Sequence, residues 1–421
     1  MTGMRRIAAA SMVGTMLEYF DFAVYNSLAA LVFNRIFFPS FDPLAGTILA
    51  FATFAVGYLA RPFGGILFGR LGDTRGRRYV LMATLLLMGV TTVSMGLLPT
   101  YESVGIASPV LLVLLRFIQG MALGGEWAGA VLLSLEHGQT DRRGRNGAWA
   151  QAGPSLGTLL ATGLIALITL TMSPEAFQLW GWRIPFLASA VLIAFGLWIR
   201  KGVDETPLFE RLRSRTAMSS APLREVIAGY WRRMLIAGGV RIGSDVQYSL
   251  LAAFTLTYLT SVLHQSRALA LIAVSIGCAC NAVAIPYFGA LSDYRGRRPI
   301  YALGLALAAA WALAYFHLLD SQRPAPICLA IALGFVIHAS MYGPQAAFIA
   351  EQFPTRVRYA GSTLAYTFVG IIGGGLAPMA FAALLRATGS TLALSIYLIA
   401  GLAISALAVL AARETSRLPL D

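Results

Sequence analysis

The chain has 421 residues, of which 57% are apolar and only 12% charged, and its mean hydropathy is +0.71. A water-soluble chain of this size carries about twice that charge, so a soluble fold is excluded. An all-α membrane protein is expected, because helices satisfy their own backbone groups inside lipid. A net charge of +13 could suit nucleic acid. The arginines, however, are spread through loops between apolar runs, which makes the lipid bilayer the expected partner and excludes nucleic acid.

Apolar runs long enough to cross roughly 30 Å of hydrocarbon predict twelve spans, at about 8–33, 46–69, 79–98, 110–136, 147–172, 184–200, 234–262, 267–290, 299–318, 325–350, 360–385 and 390–412. The first follows MTGMRR without a short apolar core and a small-residue cleavage site. It reads as a retained span, not a signal peptide. Glycines four apart (Gly65/Gly69, Gly120/Gly124, Gly125/Gly129, Gly153/Gly157, Gly370/Gly374) suit close helix packing. The long polar stretch 201–233 separates an N-terminal six-helix bundle, 1–200, from a C-terminal one, 234–421. It reads as a cytoplasmic linker, with Pro207 and Pro222 placed to start short surface helices. Cys278, Cys280 and Cys328 lie in apolar segments with no histidine or carboxylate at ligand spacing, so neither a disulfide framework nor a metal site is expected.

The polar decapeptide GRLGDTRGRR at 69–78 returns as GALSDYRGRR at 289–298, with seven identical letters. A repeat at mid-length indicates two pseudo-symmetric halves. Each copy reads as a tight polar hairpin on a membrane surface. With the N-terminus inside, 24 of the 32 basic residues fall in inner segments and five in outer ones. That bias places both termini in the cytoplasm.

An ionisable group inside a span costs about 2.5–3.5 kcal/mol on insertion scales and is a functional candidate. Glu18, Asp21 and Tyr25 form one stripe on the first helix. Two carboxylates this close in low dielectric do not both ionise easily, so the pair reads as a proton-coupling or substrate site, or else as a fixed partner of a buried arginine. Arg116, Gln119 and Glu126 share one side of the fourth helix. Arg116 could grip a substrate carboxylate or neutralise Glu18 or Asp21 across a cavity; Glu126 could instead lock helices within its half. In the second half Arg241 and Asp245, four apart, read as a self-neutralised pair or as an opening anion site, with Tyr248 on the same face. His338, Tyr342 and Gln345 form a mid-depth stripe, and Asn281 and Gln151 are further polar candidates for substrate contact. Arg61 and Arg183 read as interfacial, Arg183 in an aromatic belt with Trp180 and Trp182.

The repeated loop reads as a cytoplasmic gate. Asp73 would face a helix N-terminus of the other half, where the dipole favours negative charge, and Asp293 is its counterpart in the second copy. Arg77 and Arg78 would pair with Glu136, and Arg297 and Arg298 with Glu351. The loop lacks the phosphate-cradling G-x-x-x-x-G-K-[ST] pattern, so no ATP drive is expected; no segment outside the spans is long enough for a hydrolase domain, so no enzyme is expected either.

Twelve spans, two halves and the repeated loop resemble the major facilitator superfamily. LEYFDFAVY (17–25), ARPFGG (60–65), RFIQGMALGGEWAGA (116–130), GWRIPF (181–186), DETPLFE (204–210) and EQFPTRVRYAG (351–361) resemble its metabolite:proton symporter group, and the N-terminal half is most similar to shikimate-type carriers. The resemblance implies twelve transmembrane helices in two six-helix bundles and proton-coupled uptake of a small polar metabolite, an organic acid above all, by alternating access. It further implies a bacterial inner-membrane location, a monomer, and no cofactor beyond the proton. It links the arginine of R-x-x-Q-G, here Arg116, to proton transfer. Uptake of a zwitterionic osmolyte such as betaine or proline is the second reading, although osmosensing members carry a long C-terminal coiled coil and this chain stops soon after its last span. Proton-driven efflux is the third: GPSLG at 153–157 matches the helix-5 motif of efflux antiporters in part, with Trp149 and Thr158 where that motif has glycines. A non-transporting sensor would need a signalling domain.

Overall fold

A computed structural model of the chain describes every residue except 1, 76, 125–130, 132–134, 136–140, 202–221 and 418–421. The side chains of Asp73, Arg77 and Arg78 also fall outside the description. The described residues are mainly helical, with no strand among them. Twelve long helices run in chain order: α1 Thr2–Leu31, α2 Pro43–Arg75, α3 Arg77–Gly96, α4 Ala107–Leu123, α5 Arg143–Thr171, α6 Ile184–Lys201, α7 Trp231–Ser249, α8 Arg267–Arg295, α9 Arg297–Asp320, α10 Pro324–Ala350, α11 Thr355–Gly370 and α12 Thr391–Ala411. α7 continues to Val262 through π turns at Leu250–Phe254 and Tyr258–Val262, and α11 continues to Thr388 through Ile371–Gly375. Seven of the helical stretches are long and apolar enough to cross a membrane by length and composition, and shorter apolar helices accompany them.

The hydrophobic surface is inverted relative to a soluble protein. Val283 (78% exposed), Leu407 (69%) and Leu410 (68%) point outward, which only a lipid solvent rewards. Polar side chains turn inward instead. Because lipid offers no drive to bury apolar surface between helices, packing rests on backbone approach. A Cβ added at Gly120 would lie 2.1 Å from the Gly57 carbonyl oxygen, and one at Gly124 would lie 2.0 Å from that of Arg61. These contacts bring α4 against α2.

Two expectations change. The decapeptide is not a ten-residue hairpin: α8 runs to Arg295 and α9 starts at Arg297, so Gly296, at φ 97°, makes the turn by itself. Only glycine adopts that conformation without a steric penalty, and helices propagate until such a residue stops them. Trp182 is fully buried, edge-on to Phe33 and Phe37 at 6.1 and 5.8 Å, while Trp180 is 54% exposed. Trp182 is therefore a core anchor of the N-terminal half and not part of a belt. Pro222 does start a short helix, Pro222–Gly229, and Pro207 lies outside the described residues.

Candidate functional site

In the N-terminal half the stripe on α1 is split by its own twist. Asp21 turns toward α3, where the Thr92 hydroxyl donates to its Oδ2 at 2.9 Å. Gln119 Nε2 donates to Thr92 Oγ1 at 2.6 Å, and Arg116 Nη1 donates to Gln119 Oε1. The direct Arg116–Asp21 ion pair is thus replaced by a relay of two neutral side chains. The Arg116 guanidinium is fully buried and lies over the rings of Phe22, Tyr25 and Phe54, at 4.1, 4.2 and 4.7 Å from their centroids. Desolvated cation–π contacts of this kind are worth about 2 kcal/mol. Tyr25 bonds Thr53 at 2.5 Å and stacks on Phe54; it encloses Arg116 and lines neither of the two cavities described below. Glu126 lies outside the described residues.

In the C-terminal half Arg241 and Asp245 form the self-neutralised pair, Nε to Oδ2 2.7 Å. Arg241 Nη1 also donates to the Tyr366 carbonyl at 2.6 Å, and its guanidinium covers the Tyr366 ring at 3.3 Å. His338 Nε2 lies 3.2 Å from Ser244 Oγ and its Nδ1 3.2 Å from Asn281 Nδ2. Asn281 Oδ1 in turn accepts from Ser155 of α5 at 2.5 Å, so this network ties the two halves together. Tyr342 stacks on His338 at 5.0 Å. Tyr248 bonds Thr158 of α5 at 2.7 Å. Gln345 donates to Tyr301 at 2.9 Å, and Tyr301 donates to the Val240 carbonyl at 2.8 Å, which locks α7, α9 and α10 together away from the cavities. Gln151 is 1% exposed within α5.

Two small cavities lie between the halves. One, of about 20 Å³, is lined by Glu18, Tyr19, Arg61 and Leu123 from the first half and by Thr363, Tyr366 and Thr367 from α11. The other, of about 30 Å³, is lined by Tyr19, Asn26, Tyr58, Thr158, Tyr248 and Ser249 among others. Each holds a water or two and nothing larger. Tyr19 borders both and bonds Tyr366 hydroxyl to hydroxyl at 3.0 Å, from α1 to α11. Of the candidates named from sequence, Glu18 and Tyr248 line a cavity. Arg61, expected at an interface, is 6% exposed and lines one. Sequence reasoning passed over Tyr19, Thr363, Tyr366 and Thr367; adjacency to Glu18 was the available signal for Tyr19.

The end of the bundle where α8 meets α9 is closed by buried charge. Asp293, at the end of α8, accepts from the backbone N–H groups of Gly144 (2.7 Å) and Arg145 (3.0 Å) at the start of α5. Here two orphan donors and the helix dipole meet one carboxylate. Arg297 pairs with Asp293 at 2.7 Å and with Glu351 at 3.2 Å. Glu351 also takes Arg143 from the other half at 3.3 Å, a partner the sequence reading missed. Arg298 does not reach Glu351: its guanidinium donates to the Leu410 carbonyl at 3.1 Å, because helix geometry turns consecutive residues about 100° apart. Glu136 lies outside the described residues, as do the side chains of Asp73, Arg77 and Arg78.

Beyond α12, Glu414 accepts from the backbone N–H groups of Arg297 (3.0 Å) and Arg298 (2.8 Å), capping α9 from a distance. Burial pushes the Glu414 carboxyl up, but the N–H groups of Arg298, Arg297 and Ser416 outweigh it and hold the group below the usual carboxylate range. On the opposite end Asp42 and Arg386 pair at 2.7 Å with about half of each side chain exposed.

Apolar helices around buried polar groups, with small cavities at the junction of two bundles, are the architecture of a membrane transporter. The sequence profile of the Major Facilitator Superfamily matches residues 11–378 and 241–419, and the chain belongs to that family. It is 38% identical over 418 residues to the shikimate transporter of Escherichia coli (strain K12), covering 98% of this chain and 95% of that protein. It is 32% identical over 429 residues to the proline/betaine transporter of the same strain, covering 99% and 85%. Its fold matches the proton:xylose symporter XylE bound to 6-bromo-6-deoxy-D-glucose with a TM-score of 0.74 at 18% identity, covering 97% and 94%.

Proposed function

We propose that the protein imports a small organic acid together with a proton by alternating access, in the inner membrane, as a monomer with both termini cytoplasmic. The observation that carries the coupling is the buried Asp21, held by a hydroxyl and linked to Arg116 only through Thr92 and Gln119. A carboxylate so held exchanges a proton without breaking an ion pair. The proton is the coupling ion and no other cofactor is invoked. Arg61, Arg116 and Arg241, all buried among the helices, favour an anionic cargo, in keeping with the named substrate of the shikimate transporter.

A zwitterionic osmolyte is the second reading. It is favoured by the meeting of Glu18 and Arg61, opposite charges, at one cavity, and by the proline/betaine relatives. Efflux finds less support, since Thr158, where the antiporter motif has glycine, is bonded to Tyr248 across the halves. The test is uptake into proteoliposomes of labelled shikimate, other carboxylates, proline and glycine betaine, with and without an imposed proton gradient. Gradient-driven accumulation of a carboxylate supports the first reading, and accumulation of betaine or proline alone supports the second. Uptake indifferent to the gradient refutes symport.

A further inference from the structure

Arg61, Arg116 and Arg241 are all buried within the helical bundle, and they are not equivalent. Arg116 is enclosed by aromatic rings and hydrogen-bonded to Gln119. Arg241 is neutralised by Asp245. Arg61 stacks on Tyr58 at 3.9 Å and on Phe22 at 5.0 Å, and none of the ion pairs among the described residues involves it. Its Nε is buried without a hydrogen-bond partner. Stacking fixes the plane of the guanidinium while leaving its in-plane N–H edges for a ligand, which is the geometry that recognises a carboxylate bidentately.

Arg61 also lines the smaller cavity, whose opposite wall is α11. We infer that this cavity is the closed form of the substrate site and that Arg61 holds the substrate carboxylate. The inference rests on the carboxylate reading above and deepens it. Glu18 adds a carboxyl group to the same cavity, beside which an ammonium or hydroxyl group is better accommodated than a second carboxylate, while the hydroxyls of Tyr19, Thr363, Tyr366 and Thr367 offer donors and acceptors. The site therefore suits a monocarboxylate bearing hydroxyl or ammonium groups and disfavours a dicarboxylate. At about 20 Å³ the cavity is too small for such a molecule. It must enlarge as α1 and α11 separate and the Tyr19–Tyr366 bond between the halves breaks.

The test is equilibrium binding to the purified full-length protein of shikimate, glycine betaine and succinate, with shikimate methyl ester as the uncharged control. Wild type is expected to bind a monocarboxylate at least tenfold more tightly than succinate or the ester. In R61Q that affinity should fall about a hundredfold, as for a lost charge-assisted pair, while ester binding moves less than threefold; R61K should be intermediate. Equal loss for acid and ester would mark a structural role and overturn the proposal, as would unchanged binding in R61Q. Should R61Q not fold, Thr367→Cys, in a chain with the three native cysteines replaced by serine, provides the readout. Saturating monocarboxylate should slow its reaction with N-ethylmaleimide at least fivefold, and an unchanged rate overturns the site. A wild type that binds no carboxylate overturns both this inference and the transport reading; a wild type that accumulates carboxylate while R61Q binds it unchanged overturns this inference alone.

Discussion

Asp21 and Arg116 were candidates from sequence because each is a charge inside an apolar run, where insertion cost demands a reason. Their spacing along separate helices could not say whether they touch. They do not: Gln119, itself a candidate on α4, and Thr92 of α3, which the sequence did not single out, stand between them. If Asp21 carries the coupled proton, Asp21→Asn should lose at least tenfold of gradient-driven accumulation in proteoliposomes and retain substrate exchange. Accumulation at the wild-type level in that variant would move the proton site to Glu18, where Glu18→Gln is the next substitution to assay. His338 was legible as a polar residue at mid-depth, but its bridging role with Ser244 and Asn281 depended on which faces of α7, α8 and α10 meet.

Among the helices, α9 shows how far apart in sequence the parts of one element can lie. Its N-terminus is capped by Glu414, 117 residues beyond Arg297, and no local capping pattern announced it. Glu414→Ala should cost about 1 kcal/mol, as for other lost caps, read as faster hydrogen exchange at the Arg297 and Arg298 amides. The sign of the pH effect follows from the depressed carboxyl. A group that ionises more readily when folded contributes its stability above the unfolded value, about pH 4.3, and loses it as pH falls through the lower folded value. Protection of those two amides should therefore persist at neutral pH and fade under acid conditions below about pH 4. The Ala variant should show no such fade, and a parallel fade in both proteins would refute the cap.

For the whole molecule, the two ends are closed by interactions of different kinds. At one end the Arg143–Glu351 pair links the halves with side chains 4% and 2% exposed, and removing one partner of such a buried pair costs about 3–5 kcal/mol. The Asp42–Arg386 pair at the opposite end is half exposed and is worth about 1 kcal/mol or less. Glu351→Gln should therefore shift the population strongly toward opening at the Glu351 end, seen as longer spin-label distances across it. Arg386→Ala should leave the distribution within about fivefold of wild type. Equal effects from both substitutions would contradict this asymmetry. Asp293→Asn should act in the same direction as Glu351→Gln, because it weakens the acceptor that satisfies the first N–H groups of α5.

The membrane setting, the all-helical fold and the duplication were readable in the chain itself. Apolar run length, the returning decapeptide and scarce internal charge are one-dimensional properties that lipid solvation converts directly into structure. The ion-pair cluster at the end of α8 was half readable, since Asp293, Arg297 and Glu351 stood out by charge and position. Arg143 did not stand out, being one basic residue in a basic loop. Of the cavity residues, Glu18 and Tyr248 stood out in the sequence and the others belonged to tertiary structure. Arg61 looked interfacial by its place in ARPFGG, and Tyr19 and Thr367 looked like nothing in particular. Which charge is neutralised, which is enclosed and which faces open space depends on helix rotation and on the approach of α2, α4 and α11 across the chain. Those are set by glycine contacts and buried hydrogen bonds between segments hundreds of residues apart, and no local pattern encodes them.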